Sequence, residues 1–329
     1  MSGAWRIGDA LTLARDLPDE SVNCIVTSPP YWGLRSYLAD DDPDKAKEMG
    51  AEPTLAEYVE RLVVLFRELR RALRSDGTCW LNLGDCYASS PPGNKMLGVS
   101  ARSGLNGVAD PNGKYRHTLA AGHGTKSDTV KGSGLKPKDL CLVPYRVAMA
   151  LQDDGWYLRS HTIWHKPSPM PESVTDRPTS SHEAVFLLTK SARYAYDADA
   201  VKEPSVIGAG AVRNITPANK GFRDGERNDG DRFGIVNDGT RNLRNVWTIA
   251  SQPYSGSHYA VMPPALVEPC VKAGCPVGGL VLDPFGGSGT VGMVAESLGR
   301  DWLMFDLDSR NEALMRARTA QRSLLGLMG

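Results

Sequence analysis

The run Gly279-Leu280-Val281-Leu282-Asp283-Pro284-Phe285-Gly286-Gly287-Ser288-Gly289-Thr290 decides how this chain folds. Its first five residues form an apolar stretch ended by an acid, the pattern of a strand buried on both faces. The following seven read as a glycine-rich turn, and a helix is expected over about 290–298. A second apolar strand, Trp302 to Phe305, ends at Asp306, and a final amphipathic helix starts at Ser309. Strand, glycine loop, helix, strand and acid make a nucleotide-binding half-unit: glycines let the backbone approach the ligand, and the acid receives ribose hydroxyls. Gly287-Ser288-Gly289-Thr290-Val291-Gly292 also fits G-x-G-x-x-G, so an NAD-dependent dehydrogenase is a rival reading. About two dozen residues follow Asp306, so the remaining strands are expected from residues 1–190. The glycine loop would then be late in sequence and central in the sheet.

Those upstream residues alternate strand and helix. A short first element ends at Gly8-Asp9, a brief helix covers Leu11 to Leu17, and Pro18-Asp19-Glu20-Ser21 is a turn. The apolar strand 22–26 delivers Thr27-Ser28-Pro29-Pro30-Tyr31-Trp32 to a strand's carboxyl end, where open α/β sheets collect ligands. Two consecutive prolines fix φ and lack N–H, so their carbonyls are expected to be free to accept from a ligand. Ser28 adds a hydroxyl acceptor, and Tyr31 and Trp32 add flat faces suited to stacking on a nucleobase. Taken alone, the run reads equally as a stiff surface turn. From Thr54 the pattern is helical, with Thr54 and Glu57 as a capping box and Leu55, Tyr58, Leu62, Leu65, Leu69 and Leu73 on one face. Gly77 is expected to stop it before a strand over Thr78 to Asp85. Further on, helices are expected over about 141–152 and 263–274, with strands over Trp156 to His165 and Ala184 to Thr189.

Formal net charge is zero over 329 residues, so any surface for a polyanion has to be a local patch. Residues 88–138 break the periodicity, and between Gly93 and Lys138 eight Lys and Arg face two Asp, a local charge of +6. Lys114, Arg116, Lys126 and Lys131 are candidates there for phosphate contact. Residues 199–245 are rich in Gly, Asn and Arg; Arg213, Arg223, Arg227, Arg232, Arg241 and Arg244 offer planar forks suited to phosphates or guanine edges, the first four being the candidates for DNA contact. In both segments a plain solvated surface is the competing reading. The six cysteines show no C-x-x-C pair or zinc spacing and read as reduced, small apolar residues. His161 and His165 are four apart, but on a strand without a third ligand, so no metal is expected. With no signal pattern at the N-terminus and no membrane-length apolar run, a cytoplasmic protein without membrane association is expected.

Asp283-Pro284-Phe285-Gly286-Gly287-Ser288-Gly289-Thr290 resembles the cofactor motif of the amino-group DNA methyltransferases, and Thr27-Ser28-Pro29-Pro30-Tyr31 resembles their catalytic motif. With the catalytic motif first, the chain is similar to the beta group of that family. Further matches are Trp80-Leu81-Asn82-Leu83-Gly84-Asp85, the run from Arg177-Pro178 through His182-Glu183 to Tyr194-Ala195-Tyr196-Asp197, and Asn245-Val246-Trp247 with His258-Tyr259-Ala260.

The resemblance implies an α/β, Rossmann-like methyltransferase fold, a mostly parallel mixed sheet with helices on both faces and a small irregular DNA-recognition region. Residues 1–198 and 246–329 would form one catalytic domain, with 88–138 a basic insertion and 199–245 a target-recognition segment. It implies S-adenosyl-L-methionine as cofactor, held by Asp283, Phe285, Gly286, Ser288, Gly289, Thr290, Asp306 and, on a looser match, His258. Ser28, Pro29, Pro30 and Tyr31 would be catalytic: Ser28 and the Pro29 carbonyl would accept the protons of an exocyclic amine, and Tyr31 would stack on the flipped base. Serine at the motif's first position favours cytosine N4, with adenine N6 the alternative. The implied partners are double-stranded DNA and a cognate restriction endonuclease; monomer and homodimer stay open. A DNA-binding protein that has lost activity is the remaining reading.

Overall fold

A computed structural model describes residues 3–34, 36–89, 129–206, 212–215, 233–236, 238–251 and 261–325. In chain order the elements are β1 (Ala4–Ile7), α1 (Ala10–Arg15), β2 (Val22–Thr27), α2 (Leu55–Ala72), β3 (Leu73–Leu83), α3 (Thr129–Ser133), α4 (Val143–Asp153), β4 (Tyr157–His165) and β5 (His182–Thr189). There follow β6 (Glu203–Pro204), β7 (Val212–Ile215), β8 (Phe233–Val236), β9 (Thr240–Arg241), β10 (Val246–Thr248), α5 (Pro264–Gly274), β11 (Leu280–Asp283), α6 (Thr290–Ser297), β12 (Asp301–Asp306) and α7 (Asn311–Leu325). The chain forms two compact units, Met1–Ala195 with Asn245–Gly329, and Tyr196–Arg244.

The first unit holds an eight-stranded sheet in the order β1-β12-β11-β2-β3-β5-β4-β10. Only β5 runs against its neighbours β3 and β4; the other pairings are parallel. Helices cover both faces, because alternate residues of β2 point to opposite layers. Ile25 packs into the core formed with α1, α2 and α4. Its neighbour Cys24 faces α5, where a Cβ added at Gly274 would lie 3.3 Å from the Cys24 sulfur. All six cysteines are free and buried.

The capping box forms: Glu57 N–H donates to Thr54 Oγ1 at 3.2 Å, and Thr54 N–H donates back to Glu57 Oε2 at 3.1 Å. The helix ends earlier than expected, however. Leu73 is already extended (φ −70°, ψ 137°) and pairs with Val22. Gly77 is therefore no helix stop; it lies inside β3 and makes room for Leu73, whose Cδ1 would be 2.6 Å from a Cβ there. β10 adds a parallel edge strand beside β4 that the composition of its neighbourhood did not suggest.

The second unit contains two antiparallel pairs, β6 with β9 and β7 with β8, in a stretch expected to be irregular. Arg241 and Arg244, expected as forks for phosphates or guanine edges, instead both donate to Glu203 Oε1 and tie the β6–β9 pair. Among the described residues no helix is long and apolar enough to cross a membrane.

Candidate functional site

From β2 the chain proceeds through α2 to β3 on one side, and from β11 through α6 to β12 on the other. The crevice between β2 and β11 is thus the topological switch point, where such sheets bind ligands. Register pairs Val281 with Cys24 and Leu282 with Ile25, so both strands end side by side. Thr27 Oγ1 donates to Asp283 Oδ1 at 2.8 Å, a buried bond joining two motifs 256 residues apart. Above it lies a cavity of about 420 Å³. Ser28, Pro29, Pro30 and Tyr31 line it from one side, and Asp283, Phe285, Gly286, Ser288, Thr290 and Asp306 from the other.

The glycine loop is built for close approach. Gly287 (φ 51°) and Gly289 (φ 82°) take left-handed conformations; Gly289 is the N-cap of α6, packs against Met315 and, unlike Gly286 and Gly287, does not line the cavity. A Cβ at Gly286 would lie 2.9 Å from Met304 Cβ, so the loop can lie flat on β12 only as glycine. Asp306 braces the loop from the neighbouring strand: its Oδ2 accepts from Gly287 N–H at 2.7 Å, and its Oδ1 accepts from Asp308 N–H and Asn311 Nδ2 at 2.9 and 3.1 Å. Ser288 is buried, and its hydroxyl accepts from Arg318 Nη1 at 2.7 Å. A flat glycine ledge, a buried carboxylate and a strand-end acid in one cavity suit a nucleoside ligand carrying a cationic group.

At the acceptor rim two expectations need correction. The Pro30 carbonyl is already used, accepting from Tyr58 Oη at 2.9 Å, whereas none of the described residues donates to the Pro29 carbonyl. Trp32 is 1% exposed, and its Nε1 donates to Glu52 O at 3.0 Å, so it is a core residue and offers no face to a base. Tyr31 does line the cavity, with its ring so close to the backbone that a Cβ at Gly84 would lie 2.5 Å from Cε2. Trp164 is the larger aromatic wall, with the Lys166 ammonium 4.4 Å above its ring.

Several cavity residues had no role assigned from sequence. Tyr31 Oη donates to Glu183 Oε2 at 2.7 Å and lies 3.2 Å from Asn82 Oδ1, while Ser28 Oγ donates to Tyr31 Oη at 3.3 Å. Lys166 forms an ion pair with the other Glu183 oxygen. The antiparallel β5 explains this convergence: its first residues meet the carboxyl ends of β3 and β4, with Glu183 opposite Trp164. The segment after the rim contributes Leu34, Tyr37, Leu38, Glu48 and Met49. It is pinned by the buried Glu48, which accepts from Tyr37 N–H and from Leu38 N–H at 3.3 Å. Arg61 Nη1 in turn donates to Glu52 Oε1 at 2.7 Å and to Glu48 O at 3.0 Å.

Burial pushes the Asp283 carboxyl up to about 7, aided by the nearby Asp306 charge and opposed by the hydrogen bonds from Phe285 N–H and Thr27. Burial, and then the Glu183 carboxylate, hold the Tyr31 phenol well above its usual range.

Of the expected DNA contacts, Lys131 lies in α3 and Arg213 in β7. Lys114, Arg116, Lys126, Arg223, Arg227, Arg232 and the cofactor candidate His258 lie outside the described residues. Among the described residues no group of three His, Cys, Asp or Glu could hold a metal; His161 stacks on Phe186 and His165 meets Thr248 Oγ1 at 3.2 Å.

Comparison with known proteins agrees with this geometry. The DNA methylase family, N6 and N4, matches residues 22–315. The type II methyltransferase M.XycI of Xanthomonas campestris pv. cyanopsidis is 42% identical over 301 residues, covering 92% of this chain and 82% of that protein. Among solved structures, the PvuII DNA methyltransferase, described as cytosine-N4-specific, has a TM-score of 0.59 at 19% identity, over 97% of this chain and 86% of that one. A putative DNA modification methylase of Thermus thermophilus, solved complexed with S-adenosyl-L-methionine, has a TM-score of 0.54 at 20% identity, over 97% and 93%.

Proposed function

This chain belongs to the N6 and N4 DNA methylase family, and we propose that it transfers a methyl group from S-adenosyl-L-methionine to the N4 amine of a cytosine flipped out of duplex DNA. The observation that carries the reading is the Thr27–Asp283 bond, which brings the acceptor rim and the glycine ledge into one cavity. A dehydrogenase would have no use for such a rim.

Bound S-adenosyl-L-methionine supplies a methyl group on a sulfonium sulfur, open to attack by a lone pair. The residues around it bind and aim. Gly286 and the Gly287 turn would give the backbone ledge, Asp283 would meet the cationic end, and Asp306 with Asn311 would take the ribose hydroxyls. An aromatic amine is a poor nucleophile because its lone pair is delocalised. Ser28 Oγ and the Pro29 carbonyl accept hydrogen bonds from its two N–H groups, turn the nitrogen toward sp³ and direct the lone pair. Tyr31 is the cavity aromatic on which the flipped base stacks, a contact worth on the order of 1–3 kcal/mol per base in comparable sites.

Serine at position 28 supports cytosine N4 over adenine N6, and the PvuII enzyme, whose fold this chain shares, is a cytosine-N4-specific one. The Tyr196–Arg244 unit is assigned target recognition, and the basic stretch within 88–138 phosphate contact. A cognate restriction endonuclease is proposed as its counterpart, in keeping with its similarity to proteins named type II methyltransferases. Nucleoside mass spectrometry of DNA treated with enzyme and cofactor tests the reading. N4-methylcytosine is expected from wild type and far less from Ser28→Ala. N6-methyladenine alone would replace the target, and equal incorporation by both proteins would remove Ser28 from the mechanism.

A further inference from the structure

Serine is an ambiguous acceptor. Its hydroxyl carries one proton and two lone pairs, and it can accept from an amine only if its own proton is engaged elsewhere. A carboxylate has no such problem, so an enzyme using serine must fix the direction of that proton.

The cavity contains a chain of groups that does so. Ser28 Oγ lies 3.3 Å from Tyr31 Oη, which lies 2.7 Å from Glu183 Oε2 and 3.2 Å from Asn82 Oδ1. Asn82 donates through Nδ2 to Glu183 Oε2 at 3.1 Å and to Ala184 O at 3.2 Å, so its amide is oriented with oxygen toward the phenol. Both groups beyond Tyr31 are therefore acceptors. The phenol has a single proton, which must point at them, and it is left to accept from Ser28. Ser28 consequently donates into the protein and keeps both lone pairs for the cavity. Lys166 occupies the other Glu183 oxygen. A carboxylate can accept from Lys166 and Tyr31 together; a glutamine would turn a donor N–H₂ toward one of them.

We propose that Glu183 is a positioning residue for methyl transfer, which polarises Ser28 through Tyr31 and receives the proton that the amine loses. This rests on the transferase reading above. As the amine nitrogen bonds to the methyl carbon, the donor's C–S bond breaks and its electron pair stays on sulfur. The nitrogen sheds one proton to Ser28 Oγ, Ser28's proton passes to Tyr31 Oη, and Tyr31's passes to Glu183 Oε2. A sulfonium and a carboxylate become a thioether and a neutral carboxyl, and both hydroxyls end as they began. The phenol is not required to exist as a free phenolate, consistent with its strongly raised proton affinity in this buried place.

The test compares wild type, E183Q, Y31F and the double variant on unmodified, whole-genome-amplified bacterial DNA with tritiated S-adenosyl-L-methionine. Loss of either relay member is expected to lower kcat about 100-fold, the low end of acid–base contributions. KM for cofactor and for DNA should stay within about twofold, and the double variant should be no slower than either single one. A second readout does not depend on turnover. With ¹³Cζ-labelled tyrosine, the Tyr31 resonance, assigned by its loss in Y31F, should titrate at lower pH in E183Q, because the charge opposing phenol ionisation is gone; Tyr58 is the other titrating group facing it. An E183Q enzyme within about threefold of wild type in kcat, additive losses in the double variant, or an unmoved Tyr31 titration would each overturn the proposal. Wild type that methylates no DNA would sink the transferase reading and this inference with it, whereas active wild type with an indifferent E183Q overturns the inference alone.

Discussion

Replacing Asp283 by asparagine is expected to abolish the pH dependence of cofactor binding. In wild type the carboxyl is 1% exposed, and burial pushes it up to about 7. Roughly a tenth of the protein then carries the carboxylate at pH 6 and roughly nine-tenths at pH 8. A ligand with an ammonium and a sulfonium selects that carboxylate, so affinity for S-adenosyl-L-methionine should rise about tenfold between those pH values, with about half a proton released on binding at pH 7. The cofactor-free protein carries the opposite signature. The folded pKa lies above the unfolded one, so this group's favourable contribution is fully present below about pH 4 and is lost as pH rises through about 7. The whole effect is on the order of 4 kcal/mol at pH 8. Asp283→Asn should therefore raise the thermal midpoint of the cofactor-free protein at pH 8, leave it nearly unchanged at pH 4, and bind cofactor weakly at every pH. Calorimetric titration from pH 6 to 8 in two buffers of different ionisation enthalpy measures both affinity and proton count. A wild-type affinity independent of pH, or a slope retained by the asparagine variant, would refute the assignment of Asp283 to the cationic end.

Gly286→Ala should weaken cofactor binding by at least about tenfold, because its Cβ would lie 2.9 Å from Met304 Cβ and 3.2 Å from Phe305 O and the ledge must lift; unchanged affinity would mean the ledge does not carry the cofactor. Gly84→Ala places a Cβ 2.5 Å from Tyr31 Cε2, so the expected result is a large fall in kcat with an unchanged cofactor Kd, read by filter-bound methyl incorporation and calorimetry side by side. Neutralising Lys114, Arg116, Lys126 and Lys131 together should weaken binding to all DNA sequences alike and flatten the salt dependence by about 3–4 in log–log slope, measured by fluorescence anisotropy. A slope equal to wild type would return residues 88–138 to a plain solvated insertion.

What sequence reading recovers here is what local pattern encodes. The apolar run Leu280–Leu282, the glycine turn and Asp306 are consecutive enough that strand, turn and acid follow from composition, and β11, α6 and β12 stand where expected. The rim was legible for the same reason, since Pro29 and Pro30 constrain their own backbone. Its surroundings were less so. Trp32 is in sequence as good a stacking face as Tyr31, and only the turn at Gly33, whose N–H bonds to Gly50 O at 2.9 Å, sends one ring to the cavity and the other into the core. Pro30's carbonyl is not free because its donor, Tyr58, stands on a helix face whose periodicity speaks only of packing.

Glu183, Asn82 and Lys166 show where a local pattern stops and topology takes over. Each breaks an apolar strand at its end, Asn82 in Cys79–Leu83, Glu183 just before Ala184–Leu188, and Lys166 just after Trp164. A charged or amide group at a strand's end is ordinarily taken as solvated, and on a parallel strand the start of β5 would lie at the far edge of the sheet from the cavity. Because β5 is antiparallel, its start instead meets the ends of β3 and β4: Asn82 and Glu183, 101 positions apart, both reach Tyr31, and Lys166 reaches Glu183. Strand direction is set by how the whole sheet closes, with Pro-rich residues 167–178 reversing the chain between β4 and β5. The sign that was available was the polarity itself: an Asn in a strand buried on both faces, only 3% exposed, has to be hydrogen-bonded, and its partners had to be other buried polar groups. Asking what satisfies Asn82 leads to Glu183, Glu183 to Lys166 and Tyr31, and Tyr31 back to Ser28, so one buried amide suffices to connect the rim to the residues that orient it.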